Sequence, residues 1–468
     1  MLFASFEFAL FIPIVFILYW KVFGKNKHQQ NVVLLITSYF FYGWWDWRFL
    51  ILIFISTLTD YIVGIRLDQT RPDAIRKKWL WLSLIVNLGL LGFFKYYNFF
   101  IESTLALLDQ LGVHSNVNTL NIILPIGISF YTFQTLAYTI DVYRGKIPAE
   151  RKALVYFTYV SFFPQLLAGP IERASRLMPQ FKKKRTFDLK MASDGMRQIL
   201  WGLFCKIVIA DTIGHQIDGL FARPESYSSI LLIQGILFFA IQVYADFSGY
   251  SHIAIGVAKL FGIELMDNFL YPFFSKNLSE FWQRWHISLS TWFRDYVYVP
   301  LGGNRSGQFR YKLAIMVTFI ISGLWHGASW NMVIWGGLNG LLFLVFFKFS
   351  SGSNEGTSVP KLKELFQMAL TFLAFALPLV FFRSGSLDLT ITYCNQIFSF
   401  SGGLGFINAP VTIIVGLMLS FEWIQKGKKH ALDISEFPPL VRYSVYVSLI
   451  LLISWNLQID NPFIYFQF

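Results

Sequence analysis

Long apolar runs recur along this chain from one end to the other, and they restrict the folds that it can adopt. A run of roughly 20 apolar residues is typical of a helix that crosses a lipid bilayer. The composition agrees, because 55% of the 468 residues are hydrophobic and only 14% are charged. A soluble domain of this size needs a far more polar surface. The sequence therefore predicts an all-α polytopic membrane protein.

Short loops rich in Lys and Arg separate the runs and indicate their orientation. By the positive-inside rule these loops face the cytoplasm. The resulting alternation places both chain termini on the outer face. It also explains the net charge of +12 without nucleic acid as a partner. About twelve crossings are predicted, at about 4–20, 32–45, 50–65, 79–94, 120–140, 198–212, 230–245, 313–330, 332–347, 365–382, 410–424 and 441–457.

Several stretches do not fit as crossings. Basic loops flank both ends of 153–170, so we expect a re-entrant or in-plane helix there. We also expect an interfacial helix over 96–112, in-plane helices at the cytoplasmic face over 246–312, and a flexible cytoplasmic loop over 350–363. The most basic loop, 172–190, is either an orientation signal that touches anionic lipid or an attractor for an anionic donor.

No polar segment is long enough to fold alone, so we predict one integral-membrane domain. Its N-terminal helices extend to about 145, its core lies at about 146–350, and its C-terminal helices begin at about 364.

Two histidines stand beside tryptophan in or next to apolar runs, where polar groups are costly and tend to mark function. His326 follows Lys312 by about 13 residues, which places it about 20 Å along an upright helix. Gly323 and Gly327 let neighbouring helices or a substrate chain approach closely. A neutral imidazole there can act as a general base. It can equally be a buried histidine that donates one hydrogen bond to a neighbouring helix.

The other histidine, His286, lies in the stretch 281–296. On a continuous helix it shares a face with Trp282, Trp285 and Ser290. That face is either functional or an amphipathic interfacial surface with aromatic anchors. A two-histidine metal site is disfavoured, because no third ligand stands at a recognisable spacing.

Other sequence features carry weaker signals. The turn 301–305 lacks the spacing of a phosphate-binding loop. The chain has no Gly-x-Ser-x-Gly elbow, which disfavours a covalent serine mechanism. Asp246 follows an apolar run and is interpreted as a helix cap rather than as a partner for a histidine. Cys205 and Cys394 have no spacing that suggests a disulfide or a metal site.

Several stretches together resemble the membrane-bound O-acyltransferase family. They are FYGW (41–44), FPQLLAGPI (163–171), DFSGY (246–250), FWQRWH (281–286) and GLWHGA (323–328). The ending at 462–468 resembles the bacterial alginate O-acetyltransferase branch. The resemblance implies a ring of about 11–13 tilted transmembrane helices, with in-plane and re-entrant helices around a thin central tunnel.

The resemblance also implies a reaction. The family's strongest catalytic candidate maps onto His326, which would be the general base. The second motif histidine maps onto His286, which would orient the acceptor or hydrogen-bond the developing oxyanion. The residues expected to line the site are Trp325, Asn331, Trp282, Trp285 and Asp246.

For the bacterial branch, the resemblance implies acetyl transfer towards a cell-surface polysaccharide such as alginate. The implied donor is acetyl-CoA or another acyl thioester, with no tightly bound cofactor. A periplasmic partner acetyltransferase would receive the group, and the location would be the bacterial inner membrane, in contact with its lipid.

Three rival functions remain open. One is D-alanyl transfer to teichoic acid from a carrier-protein thioester. Another is acyl transfer to a lipid or a protein within the same family. The third, a transporter, usually shows repeated halves, and the sequence has no internal repeat.

Overall fold

The computed structural model describes residues 1–67, 71–114, 119–167, 169–305, 307–346, 360–403 and 405–457. The ending at 462–468 and most of the expected loop at 350–363 lie outside these residues. Within the described residues the backbone forms twenty-one α-helices and no strand. Contacts group the chain into two compact units, one of residues 1–189 and 258–265, the other of residues 190–257 and 266–468.

Nine helices among the described residues belong to the first unit. They are α1 (Phe6–Ile17), α2 (Lys27–Gly43), α3 (Leu50–Arg66), α4 (Asp73–Leu91), α5 (Tyr97–Gln110), α6 (Ile128–Tyr143), α7 (Ala153–Ser161), α8 (Phe163–Leu166) and α9 (Ala174–Phe181).

The second unit contains the remaining described helices, of which α10 begins at the last residue of 1–189 and α12 ends within 258–265, both parts of the first unit. They are α10 (Leu189–Leu203), α11 (Asp211–Ala222), α12 (Ser229–Leu260), α13 (Leu278–Arg284), α14 (Ile287–Phe293), α15 (Gly307–His326), α16 (Trp330–Phe346), α17 (Leu362–Ala376), α18 (Leu379–Arg383), α19 (Leu387–Phe398), α20 (Ala409–Ile424) and α21 (Pro439–Asn456).

Several of these helices are long and apolar enough to cross a membrane, as expected of a polytopic membrane protein. Among the described residues, four helical stretches meet that description: Trp47–Arg66, Asp73–Gln110, Ser229–Leu260 and Leu362–Arg383. Trp330–Phe346 and Ala409–Ile424 are shorter apolar helices.

Some helix bounds differ from the predicted ones. The stretch 96–112 is not a separate helix, because α4 continues through a π-helical turn into α5. The first part of 120–140 is not helical; α6 begins only after Gly127, whose φ of 78° is readily adopted by glycine. The segment between the predicted crossings 198–212 and 230–245 is helical as far as Ala222.

Aromatic rings from α1, α2 and α8 fill part of the core of the first unit. The ring of Phe41 lies 5.9 Å from that of Phe8 and 5.5 Å from that of Phe163, and all three residues are buried. The nearby helix α7 is nine residues long. That is about 14 Å, half the thickness of the hydrocarbon layer. This length agrees with a segment at 153–170 that does not cross.

Within the basic stretch 172–190, Arg185 fixes the backbone that follows α9 to the rest of the first unit. Arg185 is 5% exposed, and its Nε donates to the Tyr19 hydroxyl at 2.7 Å. Its backbone N–H donates to Oε1 of Gln30 at 3.0 Å. Lys183 and Lys184 are exposed, so these two lysines are among those available to an anionic lipid or donor.

A tight helical hairpin forms part of the second unit. A Cβ atom on Gly323 of α15 would lie 2.1 Å from the carbonyl oxygen of Met332, and one on Gly336 of α16 would lie 2.4 Å from that of Phe319. Only glycine therefore permits this close approach of the two helices. The turn at 327–329 joins them and places the end of α15 inside the unit.

Candidate active site

The backbone breaks the stretch 281–296 into α13 and α14, and His286 lies at the break. Trp285 is extended, whereas His286 has φ 42° and ψ 54°, in the left-handed region. Residues other than glycine rarely adopt this conformation, and it persists where the surroundings enforce it, often at functional sites. The prediction of one continuous helix with its aromatic residues and His286 on one face is therefore wrong.

The other motif histidine, His326, is the last residue of α15. Aromatic rings from two other helices surround its imidazole. Its ring centroid lies 5.2 Å from that of Trp335 on α16 and 5.4 Å from that of Phe382 on α18. The neighbouring Trp325 ring is 4.9 Å away. These contacts fix the imidazole at the inner end of the hairpin.

The fold brings the two histidines together although 40 positions separate them. Their ring centroids lie 6.5 Å apart, and Trp325 contacts both rings, with its centroid 5.9 Å from that of His286. Phe247 of α12 presents its ring edge-on to His286 at 4.5 Å. Because His286 is 2% exposed and His326 is 6% exposed, both imidazoles belong to one buried aromatic site.

A cavity of about 530 Å³ leads to this site. Its walls include both histidines, and also the exposed residues Gln283, Arg294 and Asn304. The imidazoles are therefore accessible from the protein surface and are not sealed in packed hydrocarbon. A cavity of this size, apolar with a few polar groups, is typical of a small-molecule site.

The imidazole of His286 has its hydrogen-bonding capacity left for a ligand. Neither of its ring nitrogens has a hydrogen-bond partner among the residues that the structure describes. His286 lies between two helices of seven residues each, outside the candidate membrane spans. Burial lowers its pKa well below the ordinary value, and the nearby His326 lowers it further. The ring is therefore neutral and can accept or donate one hydrogen bond.

Of the residues predicted to line the site, Trp282 and Trp285 are in the cavity wall. Trp325 packs against both imidazoles but does not belong to that wall. Asn331 is directed elsewhere, because its side-chain amide donates to the carbonyl oxygen of Ser384 at 2.8 Å.

Asp246 also lies away from the cavity wall, and its interpretation as a helix cap is wrong. It stands in the middle of α12, 1% exposed, and its Oδ1 is 2.8 Å from Nζ of Lys206. Burial of this ion pair lets α12 continue 15 residues beyond the predicted end at 245, since the charge does not have to reach water.

Sequence reasoning missed two aromatic residues of the site, and also two charged residues of the ion-pair cluster with Asp246, which lies away from it. Nothing in the sequence marks Trp335 and Phe382 as site residues, because an apolar residue within an apolar run cannot be distinguished from its neighbours. Lys206 and Asp211 did have a signal, since charged residues within an apolar run are rare and usually paired. No group of three or more His, Cys, Asp and Glu side chains that could hold a metal ion occurs among the described residues.

Comparison with known proteins adds independent information. Residues 150–354, which include both histidines, match the membrane-bound O-acyltransferase family. The chain is 34% identical to a probable alginate O-acetylase of Pseudomonas putida, over 100% of both chains. It is 38% identical to the corresponding protein of Pseudomonas aeruginosa, over 86% of this chain and 75% of that one.

A relative named for a different polymer is similarly close. The chain is 35% identical to a peptidoglycan O-acetyltransferase of Helicobacter pylori, over 84% of this chain and 78% of the other. A teichoic acid D-alanyltransferase of Bacillus subtilis is more distant, at 28% identity over 51% of this chain and 63% of the other. Since a relative 34% identical matches along the whole chain, and both motif histidines meet at one cavity, this protein belongs to the membrane-bound O-acyltransferase family and is an O-acyltransferase.

Proposed function

We propose that the protein moves an acetyl group from a cytoplasmic thioester, through the cavity at His286 and His326, for O-acetylation of an exported cell-surface polysaccharide. The observation that carries this proposal is the pair of buried imidazoles, 6.5 Å apart, beside a cavity that exposed residues also line. The relatives named for alginate and for peptidoglycan O-acetylation support this class of acceptor.

In the proposed reaction His326 is the general base. It accepts the proton of the acceptor hydroxyl while the hydroxyl oxygen attacks the carbonyl carbon of the thioester. The tetrahedral intermediate then collapses, the C–S bond breaks, and the imidazolium returns its proton to the leaving thiolate. A positioned base of this kind contributes roughly 10²- to 10⁴-fold to a rate.

In the same reaction His286 positions the reactants. A neutral imidazole has one N–H donor and one acceptor nitrogen. It can therefore orient the acceptor hydroxyl or donate a hydrogen bond to the oxyanion. The aromatic walls exclude water, which strengthens either interaction.

The lining of the cavity supports a thioester donor, either acetyl-CoA or a carrier-protein thioester. The cavity wall near the histidines is aromatic, while Arg294, whose side chain is 61% exposed, lines the same cavity. A guanidinium there suits the phosphate that both kinds of donor carry. The donor needs no tightly bound cofactor.

The proposal has consequences for location and partners. A cytoplasmic donor and an exported polymer require a multi-pass protein in the bacterial inner membrane, surrounded by lipid, with both termini on the outer face. A periplasmic partner acetyltransferase would receive the acetyl group and pass it to the polysaccharide.

The decisive experiment replaces the proposed general base, His326, in cells that make the O-acetylated polysaccharide. We expect His326→Ala to abolish polymer O-acetylation while the amount of protein in the membrane stays normal, as measured by mass spectrometry and immunoblotting. The exposed His215 gives a matched control, and His215→Ala should leave O-acetylation intact. Retained acetylation in the His326→Ala strain would refute the proposal. Loss of D-alanyl rather than acetyl esters would favour the teichoic acid reaction instead.

A further inference from the structure

The left-handed turn at His286 needs an external support, and a neighbouring segment supplies it. The backbone N–H of Ile287, just after the turn, donates to the carbonyl oxygen of Asn268 at 2.9 Å. On the other side of the turn, the backbone N–H of Leu270 donates to the carbonyl oxygen of Arg284 at 3.0 Å. The segment 268–270 therefore binds the backbone on both sides of His286.

The side chain of Asn268 adds three further hydrogen bonds. Its Oδ1 accepts from the hydroxyl of Ser288 at 2.9 Å and from the backbone N–H of Ser288 at 3.3 Å. Its Nδ2 donates to the hydroxyl oxygen of Ser251 at 3.1 Å. Asn268 is 1% exposed, so water does not compete with these bonds. One carboxamide thus joins the first turn of α14 to the long helix α12.

Helix α12 also contacts the imidazole itself. Phe247, one helical turn before Ser251, presents its ring to His286 at 4.5 Å. The amide bond to Ser251 therefore fixes the turn relative to the same helix that forms one wall around the ring. A carboxamide offers an acceptor for Ser288 and a donor for Ser251 in one planar group.

We propose that Asn268 is a positioning residue for His286. Its carboxamide holds the left-handed turn, and the turn directs the imidazole towards His326 and the cavity. This inference rests on the proposed function, in which His286 orients the acceptor or binds the oxyanion.

The test is a double-mutant cycle in membrane vesicles that contain the full-length protein and its native partners. Vesicles receive acetyl-CoA labelled in the acetyl group, and label transferred to polymer is measured per immunoblotted protein. We expect Asn268→Ala and His286→Ala each to lower turnover by roughly 10- to 100-fold, a range set by the loss of one positioned group. We expect the double variant to be no slower than His286→Ala, because residues that act as a unit are not additive.

A merely structural role predicts a different result. The two losses would then multiply in the double variant, and that outcome would overturn the inference. Asn31→Ala gives a matched control for lost stability, since Asn31 is also buried, at 2% exposed, and its amide donates to the carbonyl oxygen of Phe181 at 2.9 Å in the first unit. We expect that variant to melt at a lower temperature while its turnover per folded protein stays within about twofold.

Two milder variants keep the test usable if Asn268→Ala does not fold. Ser251→Ala and Ser288→Ala each remove one partner of the carboxamide. We expect a decrease in turnover of about three- to tenfold from each, with no further decrease in the His286→Ala background. Wild-type turnover in His286→Ala itself would refute the proposed function of that histidine, whereas a loss there with wild-type turnover in all three Asn268 and serine variants would refute only the positioning inference.

Discussion

Two buried polar clusters in the second unit differ in what their polar atoms face. In the ionic cluster, Nζ of Lys206 lies 2.7 Å from Asp211 and 2.8 Å from Asp246, and no side chain is more than 5% exposed. At the histidine site, both nitrogens of His286 lack a hydrogen-bond partner among the described residues, and the ring lines a cavity. A buried charge is costly to leave without its partner, so paired charges hold their helices together, whereas a buried polar group without a protein partner is available to a ligand.

The ionic cluster depends on an irregular helix. Lys206 lies in a π-helical turn, Phe204–Ala210, between α10 and α11. A π-helical turn shifts the direction of the side chains that follow it. With this shift, Lys206 and Asp211 lie on the same side of their helical stretch, and Lys206 contacts Asp246 of α12. The cluster therefore joins two helical stretches of the second unit, and we assign it a structural role.

The largest expected effect is on stability, in the ionic cluster. Lys206→Met leaves two buried carboxylates without their shared cation, so we expect a loss of about 3–5 kcal/mol in the free energy of unfolding. Thermal unfolding of the protein in detergent measures it. Turnover per folded molecule should change little, since the cluster does not line the cavity.

Two further variants make that prediction specific. Lys206→Met combined with Asp211→Asn and Asp246→Asn removes all three charges, and we expect it to recover a large part of the lost stability. Lys184→Met removes an exposed lysine and should change stability by less than about 0.5 kcal/mol. If Lys206→Met lowered turnover without lowering stability, the division between the two clusters would be wrong.

The sequence alone predicts the all-α class and singles out two histidines as candidate site residues, because the signals for both are local. Apolar runs and basic loops specify spans through the cost of polar groups in lipid. His286 and His326 are recognisable because each stands beside tryptophan within a short motif. Most predicted spans accordingly overlap a helix of the structure.

The errors arise where distant residues decide the local structure. The helix break at His286 depends on hydrogen bonds from Asn268, which lies 18 positions away. The continuation of α12 past Asp246 depends on Lys206, 40 positions earlier. Local periodicity contains neither contact, so it predicted a continuous helix at the first place and a helix end at the second.

A smaller effect is expected when the histidine site is changed without straining its backbone. Asn tolerates a positive φ better than most residues, so His286→Asn preserves the turn and removes the imidazole. We expect turnover to fall by roughly 10- to 100-fold, about 1–3 kcal/mol in the activation barrier, with a melting temperature near that of the wild type. Label transfer from acetyl-CoA in vesicles measures the turnover, and thermal unfolding in detergent measures the melting temperature. A large loss of stability would mean that His286 has a structural role, like the residues of the ionic cluster.

The smallest expected effect is on the pH dependence of stability. Burial lowers the pKa of His286 in the folded protein, while the unfolded residue titrates near 6.5. Below that pH the unfolded chain binds a proton that the folded ring does not, so stability falls as the pH decreases, by up to about 1 kcal/mol per pH unit. Other groups titrate in the wild type and in His286→Asn alike, but only the wild type has this imidazole. We therefore expect the wild-type melting temperature to fall more steeply than that of His286→Asn between pH 7.5 and 5.5, whereas parallel curves would mean that the imidazole takes up protons in the folded site.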